Sequence, residues 1–294
     1  MKQTRYGLVE AGGTKFVVGV ATDKDTILAT QRIETTAPDE TIGAVVRWFS
    51  EQGALDAIGI ASFGPLELDP ASAQWGHIGA TPKPFWNGAD VAGPLVRAFG
   101  CPVAIDTDVN GAALAEYHWG AGQGQKTMLY FTIGTGVGGG AIVDGSILRG
   151  LSHPEMGHFR PARHPDDMDF AGSCPFHGDC LEGLASGPAI ITRWGKSLSH
   201  LPSDHPAHDI IAFYLAQTAV TMQAIFAPGR IVMGGGVMGT PGLIERVQHQ
   251  AASLGNGYFR GDLRYIIASP GLGDRAGLLG ALALVENASV LTLG

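Results

Sequence analysis

One pattern that occurs twice constrains this chain most. Near the start, Tyr6-Gly7-Leu8-Val9-Glu10 leads into Ala11-Gly12-Gly13-Thr14-Lys15 and out through Phe16-Val17-Val18-Gly19-Val20. Roughly 120 residues further on, Met128-Leu129-Tyr130-Phe131-Thr132 leads into Ile133-Gly134-Thr135-Gly136-Val137-Gly138-Gly139-Gly140 and out through Ala141-Ile142-Val143. β-branched and aromatic residues dominate the arms, and glycine tolerates the positive φ of a tight turn, so each copy reads as a strand–turn–strand hairpin carrying Gly-Thr in its turn. Two such hairpins are either a duplicated supersecondary unit or two unrelated hairpins, and their shape alone leaves both readings open.

Strands and helices alternate around them. Ile42, Val45, Val46 and Phe49 recur at helical spacing. Ala57–Ala61 and Pro102–Ile105 are short apolar strands; Val91–Phe99 reads as a helix interrupted near Pro94, and Val109–Trp119 as an Ala-rich helix. A long apolar helix near His208–Phe226 stops at Pro228-Gly229, strand Arg230–Met233 runs into Gly234-Gly235-Gly236, and Leu243–Leu254 and Arg275–Glu286 are helical. The alternation predicts an α/β protein. With 294 residues, 45% of them hydrophobic, the chain exceeds a typical domain of roughly 100–200 residues, so two lobes are expected. We divide it into an N-terminal lobe, 1–110, and a larger C-terminal lobe, 111–294, with the C-terminal helix returning to the first lobe.

The formal net charge is −8 with no basic block, which argues against nucleic acid or an anionic membrane surface as partner. No uninterrupted apolar run reaches the roughly 18 residues of a spanning helix, and MKQTRYGLVEAGG lacks a signal peptide's apolar region, so a cytoplasmic protein is expected. Three cysteines, Cys101, Cys174 and Cys180, argue against a disulfide framework.

Three motifs carry chemistry. The turn Gly12-Gly13-Thr14-Lys15 is not a Walker A loop, because GxxxxGK[ST] is absent and a strand follows it. Glycine backbone can still approach phosphoryl oxygens closely; an ordinary hairpin turn would look the same, but three glycine turns, each at the end of a strand, suit a nucleotide. Asp106-Thr107-Asp108-Val109-Asn110 lies where a strand meets a helix. Either Asp there is an N-cap, or one is the carboxylate that accepts a hydroxyl proton during phosphoryl transfer. Cys174-x2-His177-x2-Cys180 has tight metal-ligand spacing; a fourth ligand, His158 or in its place His164, would complete a closed, structural tetrahedral zinc site. Glu155, His158 and Glu182 flank that loop and suit sugar hydroxyls, although a solvated charged loop would carry the same residues.

Together these motifs resemble the ROK family of sugar kinases and repressors, in the hexokinase–actin-like superfamily, over nearly the whole chain. Within that family the segments HPEMGH and CPFHGDCLEGLASGP are most similar to bacterial fructokinases. The resemblance implies a two-lobed α/β fold with duplicated hairpin phosphate loops around a central cleft that closes on substrate. It also implies ATP-dependent phosphorylation of a hexose, first D-fructose to D-fructose 6-phosphate, then mannose or glucose, with a non-catalytic sugar sensor as the alternative. Asp108 would be the base, and Asn110, Glu155, His158 and Glu182 would hold the sugar. Gly12, Gly13, Thr14, Lys15, Gly134, Thr135, Gly136, Pro188, Gly234, Gly235, Gly236, Val237 and Met238 would line ATP, Glu10 would stand near Mg2+, and a homodimer is expected. With a first phosphate turn near residue 10, the repressors' helix-turn-helix is not expected ahead of it. The chain departs from the family pattern in having Glu10 for Asp, Thr107 for Asn, and Cys-x2-His-x2-Cys for Cys-x-Cys-x4-Cys.

Overall fold

The computed structural model describes residues 3–291. The chain forms two compact units. Within the described residues, the first runs to His118 and adds Arg149–His153 and everything from Leu272 on; the second holds Trp119–Leu148 and Pro154–Gly271. The division expected at residue 110 and this one differ in where the helix after Asp108 falls.

The first unit contains β1 (Tyr6–Ala11), β2 (Lys15–Ala21), β3 (Ile27–Glu34), α1 (Pro38–Glu51), β4 (Ala57–Ser62), α2 (Gly93–Phe99), β5 (Val103–Thr107), α3 (Asp108–Trp119, whose last residue opens the second unit) and the C-terminal helix. The second contains β6 (Thr127–Ile133), β7 (Val137–Val143), β8 (Ser146–Ile147), α4 (Leu181–Ala185), α5 (Gly187–Trp194), α6 (Ala207–Phe226), β9 (Arg230–Gly234), α7 (Leu243–Gly255), α8 (Leu263–Ile266) and β10 (Ile267–Ala268). The C-terminal helix is α9 (Ala276–Leu291).

The first sheet has the order β3-β2-β1-β4-β5 and the second β10-β9-β6-β7-β8. In both, a hairpin pairs antiparallel (β1 with β2, β6 with β7) and the first strand of that hairpin pairs parallel with a later strand (β4, β9). Read from the edge strand that pairs antiparallel with the hairpin's second strand, β3-β2-β1-β4-β5 and β8-β7-β6-β9-β10 have the same order and directions. The two hairpins are therefore corresponding parts of a repeated topology.

Local chemistry explains these elements. Pro38 starts α1, Asp39 and Glu40 in its first turn complement the helix dipole, and Ile42, Val45 and Phe49 are its buried face. Pro94, read as an interruption, instead begins α2, where its missing N–H has no partner to lose. Ile133–Gly140, read as one long turn, is corrected: the turn is Gly134–Gly136, and Gly138, Gly139 and Gly140 continue β7, paired with Thr132, Phe131 and Tyr130. A Cβ on Gly139 would fall 2.7 Å from the Phe131 ring and 2.8 Å from Met156, so packing calls for glycine there rather than a turn. Helix α6 is long and apolar enough to cross a membrane, but Ile211, Tyr214, Leu215 and Ala219 are buried in the second unit's core.

Helix α9 is apolar from Ala276 to Val285 and packs on β1, β4 and β5, strands of the first sheet. The approach is backbone to backbone. A Cβ on Gly59 of β4 would lie 1.9 Å from the Ala281 carbonyl oxygen, and one on Gly280 would lie 2.7 Å from the Gly111 carbonyl carbon of α3. Gly59→Ala must therefore push α9 off the sheet. Overpacking typically costs about 1–3 kcal/mol, and we expect its melting temperature to fall by several degrees; calorimetry giving a wild-type value would refute the contact.

Candidate functional site

The first unit supplies a glycine turn, a carboxylate and an acidic motif. In the turn between β1 and β2, Gly12 N–H donates to the Lys15 carbonyl at 3.0 Å, and Thr35 clamps the loop, its hydroxyl donating to Gly12 O at 2.8 Å and its N–H to Thr14 O at 3.1 Å. A Cβ added to Gly13 would meet nothing within 4 Å, and its φ lies outside the left-handed region. Glu10, the penultimate residue of β1, stands against Gly277, the second residue of α9, where any side chain would overlap its carboxyl group at 2.3 Å. Glycine at 277 is thus what makes room for Glu in place of a shorter Asp. Burial pushes the Glu10 carboxyl above its ordinary range, and Lys15 opposes that only in part.

At the junction of β5 and α3 three neighbouring side chains divide three tasks. Thr107 is the cap, its hydroxyl accepting from Asn110 N–H at 3.2 Å. Asp106 is fully buried: Oδ1 accepts from Thr107 N–H and from Asn110 Nδ2, both at 2.7 Å, and Oδ2 pairs with Arg149. Asp108, half-buried in the first helical turn, has one oxygen accepting from Val109 N–H at 2.9 Å. The cap is thus Thr107, which lies between the two acids that the sequence offered for it. Glu116, further along α3, is buried and accepts from Leu272 N–H at 2.9 Å.

In the second unit three loops converge. Gly187 N–H, at the start of α5, donates to Gly134 O at 2.7 Å, and Val237 N–H donates to Ile133 O at 2.9 Å. The Gly134–Thr135–Gly136 turn, exposed Pro188 and the Gly234–Met238 loop are thereby assembled side by side. Gly235 has φ +92° and its Cβ would meet Ile133 O at 2.4 Å, so it is glycine for the backbone's sake. Gly134 and Gly236 are not: their φ values are ordinary, and a Cβ on either would meet nothing within 4 Å. Glu182, in the first turn of α4, accepts from Val137 N–H at 3.1 Å, just past Gly136.

Four side chains close up beside this assembly. The ligand-capable atoms of His158, Cys174, His177 and Cys180 all lie within 4.8 Å of one another, a group spaced to hold a metal ion. His158 Nδ1 lies 3.2 Å from His177 Nδ1, 3.8 Å from Cys174 Sγ and 3.5 Å from Cys180 Sγ, and His177 Nδ1 is 3.7 Å from Cys174 Sγ. Backbone bonds between Cys174 and Gly178 fold the loop, and glycines let it pack: a Cβ on Gly157 would lie 1.7 Å from Val137 O, and one on Gly183 1.8 Å from Gly178 O. His164 is elsewhere, its Nδ1 accepting from Asp166 N–H at 3.1 Å and its ring edge-on to Phe213. Burial, with Cys174 alongside, pushes the Cys180 thiol up to about 11. Exposed Glu155 approaches His158 Nε2, the other ring nitrogen, at 4.0 Å.

A buried polar network that the sequence did not reveal supports this loop. Asp167 Oδ2 accepts from Arg193 Nη1 at 2.6 Å and from Tyr214 OH at 2.7 Å, and the Arg193 guanidinium lies over the rings of Phe170 and Trp194 at 4.5 and 4.3 Å. Arg163 donates to the carbonyls of Asp167 and Phe170 and pairs with Asp179 of the Cys/His loop at 3.5 Å. Its only sequence signal is a scatter of Arg and Asp between 160 and 193, which predicts no partners.

The chain is similar in sequence and fold to known proteins. The ROK family profile matches residues 6–288. A fructokinase of Zymomonas mobilis is 54% identical over 95% of both chains, and a fructokinase of Lactococcus lactis is 44% identical over 86% of both. The crystal structure of a ROK hexokinase from Thermus thermophilus matches with a TM-score of 0.79 at 27% identity, covering 98% of this chain and all of that one. A profile match across almost every described residue, joined to such identity and coverage, means that the chain belongs to the ROK family.

Proposed function

We propose that this protein transfers the γ-phosphoryl group of ATP to a hexose, with D-fructose as the leading substrate and the 6-hydroxyl as acceptor. The observation that carries the kinase chemistry is the trio Gly13, Gly134 and Gly236. No unusual φ and no internal contact requires glycine at any of them, yet each stands in a turn at the end of a strand. Open space where a Cβ would go is what a phosphate or ribose needs for close backbone approach. The choice of fructose rests on the likeness to the Zymomonas mobilis and Lactococcus lactis fructokinases.

The residues take these roles in our reading. Lys15 and the two hairpin turns receive the phosphates, and Pro188 with Gly234–Met238 receives the nucleoside. A divalent cation bound with ATP would neutralise phosphate charge, and Glu10 suits it: a carboxyl raised by burial lacks positive charge, which a dication supplies. Asp108 is the base. Its neighbours already fill the other tasks, Thr107 as cap and Asp106 as a buried structural acid. Asn110 offers an amide oxygen that is buried without a hydrogen-bond partner, suited to a sugar hydroxyl. Glu155 and Glu182 are the remaining sugar candidates, Glu182 with one oxygen already spent on Val137.

Zinc fits the Cys/His group. Bonds of about 2.3 Å to sulfur and about 2.0–2.1 Å to nitrogen in a tetrahedron set ligand separations of about 3.3 Å between nitrogens and about 3.5 Å between nitrogen and sulfur. Four of the six separations, 3.2 Å and 3.5 to 3.8 Å, fall close to these, and all six lie within 4.8 Å. Four protein ligands leave no open position, so the ion orders the loop rather than acting on substrate. Ligation through His158 Nδ1 leaves Nε2, beside Glu155, for a sugar hydroxyl.

Three outcomes check the reading. Gly13→Ala and Gly236→Ala should melt with the wild type while their KM for ATP rises severalfold; unchanged KM values would remove the argument for these turns. In a coupled ADP assay over a hexose panel, the wild type should turn over fructose fastest, and Asp108→Asn should lose about 10²–10⁴-fold in kcat while fructose and nucleotide still bind. Near-normal turnover in Asp108→Asn with loss in Asp106→Asn would reverse those assignments. Elemental analysis should find one zinc per chain, and His158→Ala should lower both zinc content and affinity for the hexose; full zinc retention in that variant would exclude His158 as a ligand.

A further inference from the structure

Residues Arg149–His153 form a short strap that belongs to the first unit, although the chain on either side of it lies in the second. Both ends are tied down. Arg149 pairs with Asp106, and at the other end the His153 ring is buried and its Nε2 accepts from Leu66 N–H at 3.1 Å. Between them Gly150 N–H donates to Ser152 O at 3.0 Å. Sequence reading gave Arg149 no role.

The partner of Arg149 is unusual. Asp106 has no exposed surface, and its Oδ1 already takes two neutral N–H groups, from Thr107 and from the Asn110 side chain. The Arg149 guanidinium on Oδ2 is the one charged partner of this buried carboxylate among the contacts described, and a buried carboxylate calls for such a partner. With both oxygens accepting from N–H donors, Asp106 takes the NH2 end of the Asn110 amide. The oxygen end is thereby turned the other way, and this is the buried atom that finds no partner in the protein.

We infer that Arg149 is a positioning residue for the phosphoryl acceptor: through Asp106 it fixes the Asn110 amide so that Oδ1 accepts a hydrogen bond from a hydroxyl of the hexose. This rests on the sugar-kinase reading above. Without the guanidinium on Oδ2, the Asp106 carboxylate loses the partner that holds it in place, and the Asn110 amide loses the reason for its orientation. The Arg149 side chain is 49% exposed, so its truncation removes charge more than packing.

The test compares Arg149→Met, Arg149→Lys and the double variant Asp106→Asn/Arg149→Met, which deletes both charges together. Each is followed by melting temperature, by KM for the hexose and for ATP, and by calorimetric titration of the hexose alone. Loss of one hydrogen bond corresponds to about a tenfold change in affinity. Arg149→Met should therefore raise the hexose KM and Kd about tenfold and leave the ATP KM within about twofold, and Arg149→Lys should recover most of that loss. The double variant should melt close to the wild type yet keep the weakened hexose affinity, because a neutral amide in place of the Asp106 carboxylate both donates and accepts and no longer dictates how the Asn110 amide points. Recovery of hexose affinity together with stability in the double variant, or equal rises in both KM values for Arg149→Met, would show a merely structural role and overturn the inference. If the wild type binds a hexose but turns none over, the kinase reading fails while the titrations still decide the role of Arg149. If it binds no hexose, both fail.

Discussion

The buried ion pair between Asp167 and Arg193 is the joint from which the second unit's chemistry hangs. One carboxylate oxygen holds α5 through Arg193 and α6 through Tyr214, and Arg163 carries the same joint to Asp179 in the Cys/His loop. A buried pair adds little net stability over an apolar substitute, but removing one partner typically costs about 3–5 kcal/mol, because the other charge is left stranded. Burial pulls the Arg193 guanidinium below its ordinary range, and Asp167 opposes that only in part. What the pair provides is geometry. It fixes α5, whose first turn donates to Gly134, relative to the loop that gathers two cysteines and two histidines.

Glycine serves this fold in two opposite ways. At Gly59, Gly157, Gly183 and Gly235 the absent side chain is filled by the protein's own backbone, and the fold closes on it. At Gly13, Gly134 and Gly236 the absent side chain leaves open space. The same residue type thus marks where backbone packs on backbone and where the backbone is left open, and the count of 44 glycines includes both uses. A sequence cannot separate the two, because the distinction lies in what the chain brings up to each position from far away.

That limit describes what was legible. The paired hairpins, the amphipathic α1 and the apolar α6 follow from local periodicity, and each is present. Spacing proposed three of the four clustered metal-ligand candidates and left His158 and His164 as rivals; only the fold, by seating Gly157 against Val137, brings His158 in and leaves His164 against Phe213. Strand β3 escaped notice because its residues, largely exposed at the sheet's edge, lack the apolar run of β4. The glycines of β7 read as turn because their reason, the Phe131 ring and Met156, lies outside their own segment. Arg149 and Asp106 are separated by 43 residues, and the Asp167 network spans α5 and α6; no local pattern predicts such pairs.

The first unit is assembled from separated stretches of chain, and α9 is the last of them to be made. Until it emerges from the ribosome, β1, β4 and β5 lack the helix that packs on them, and the whole second unit is synthesised in the interval. The N-terminal sheet, first to be translated, is therefore among the last parts to be completed, and its apolar face waits exposed through most of synthesis. A chain cut short before residue 276 would lose a packing layer from its N-terminal half, so a lesion at one end of the gene would be felt as instability at the other.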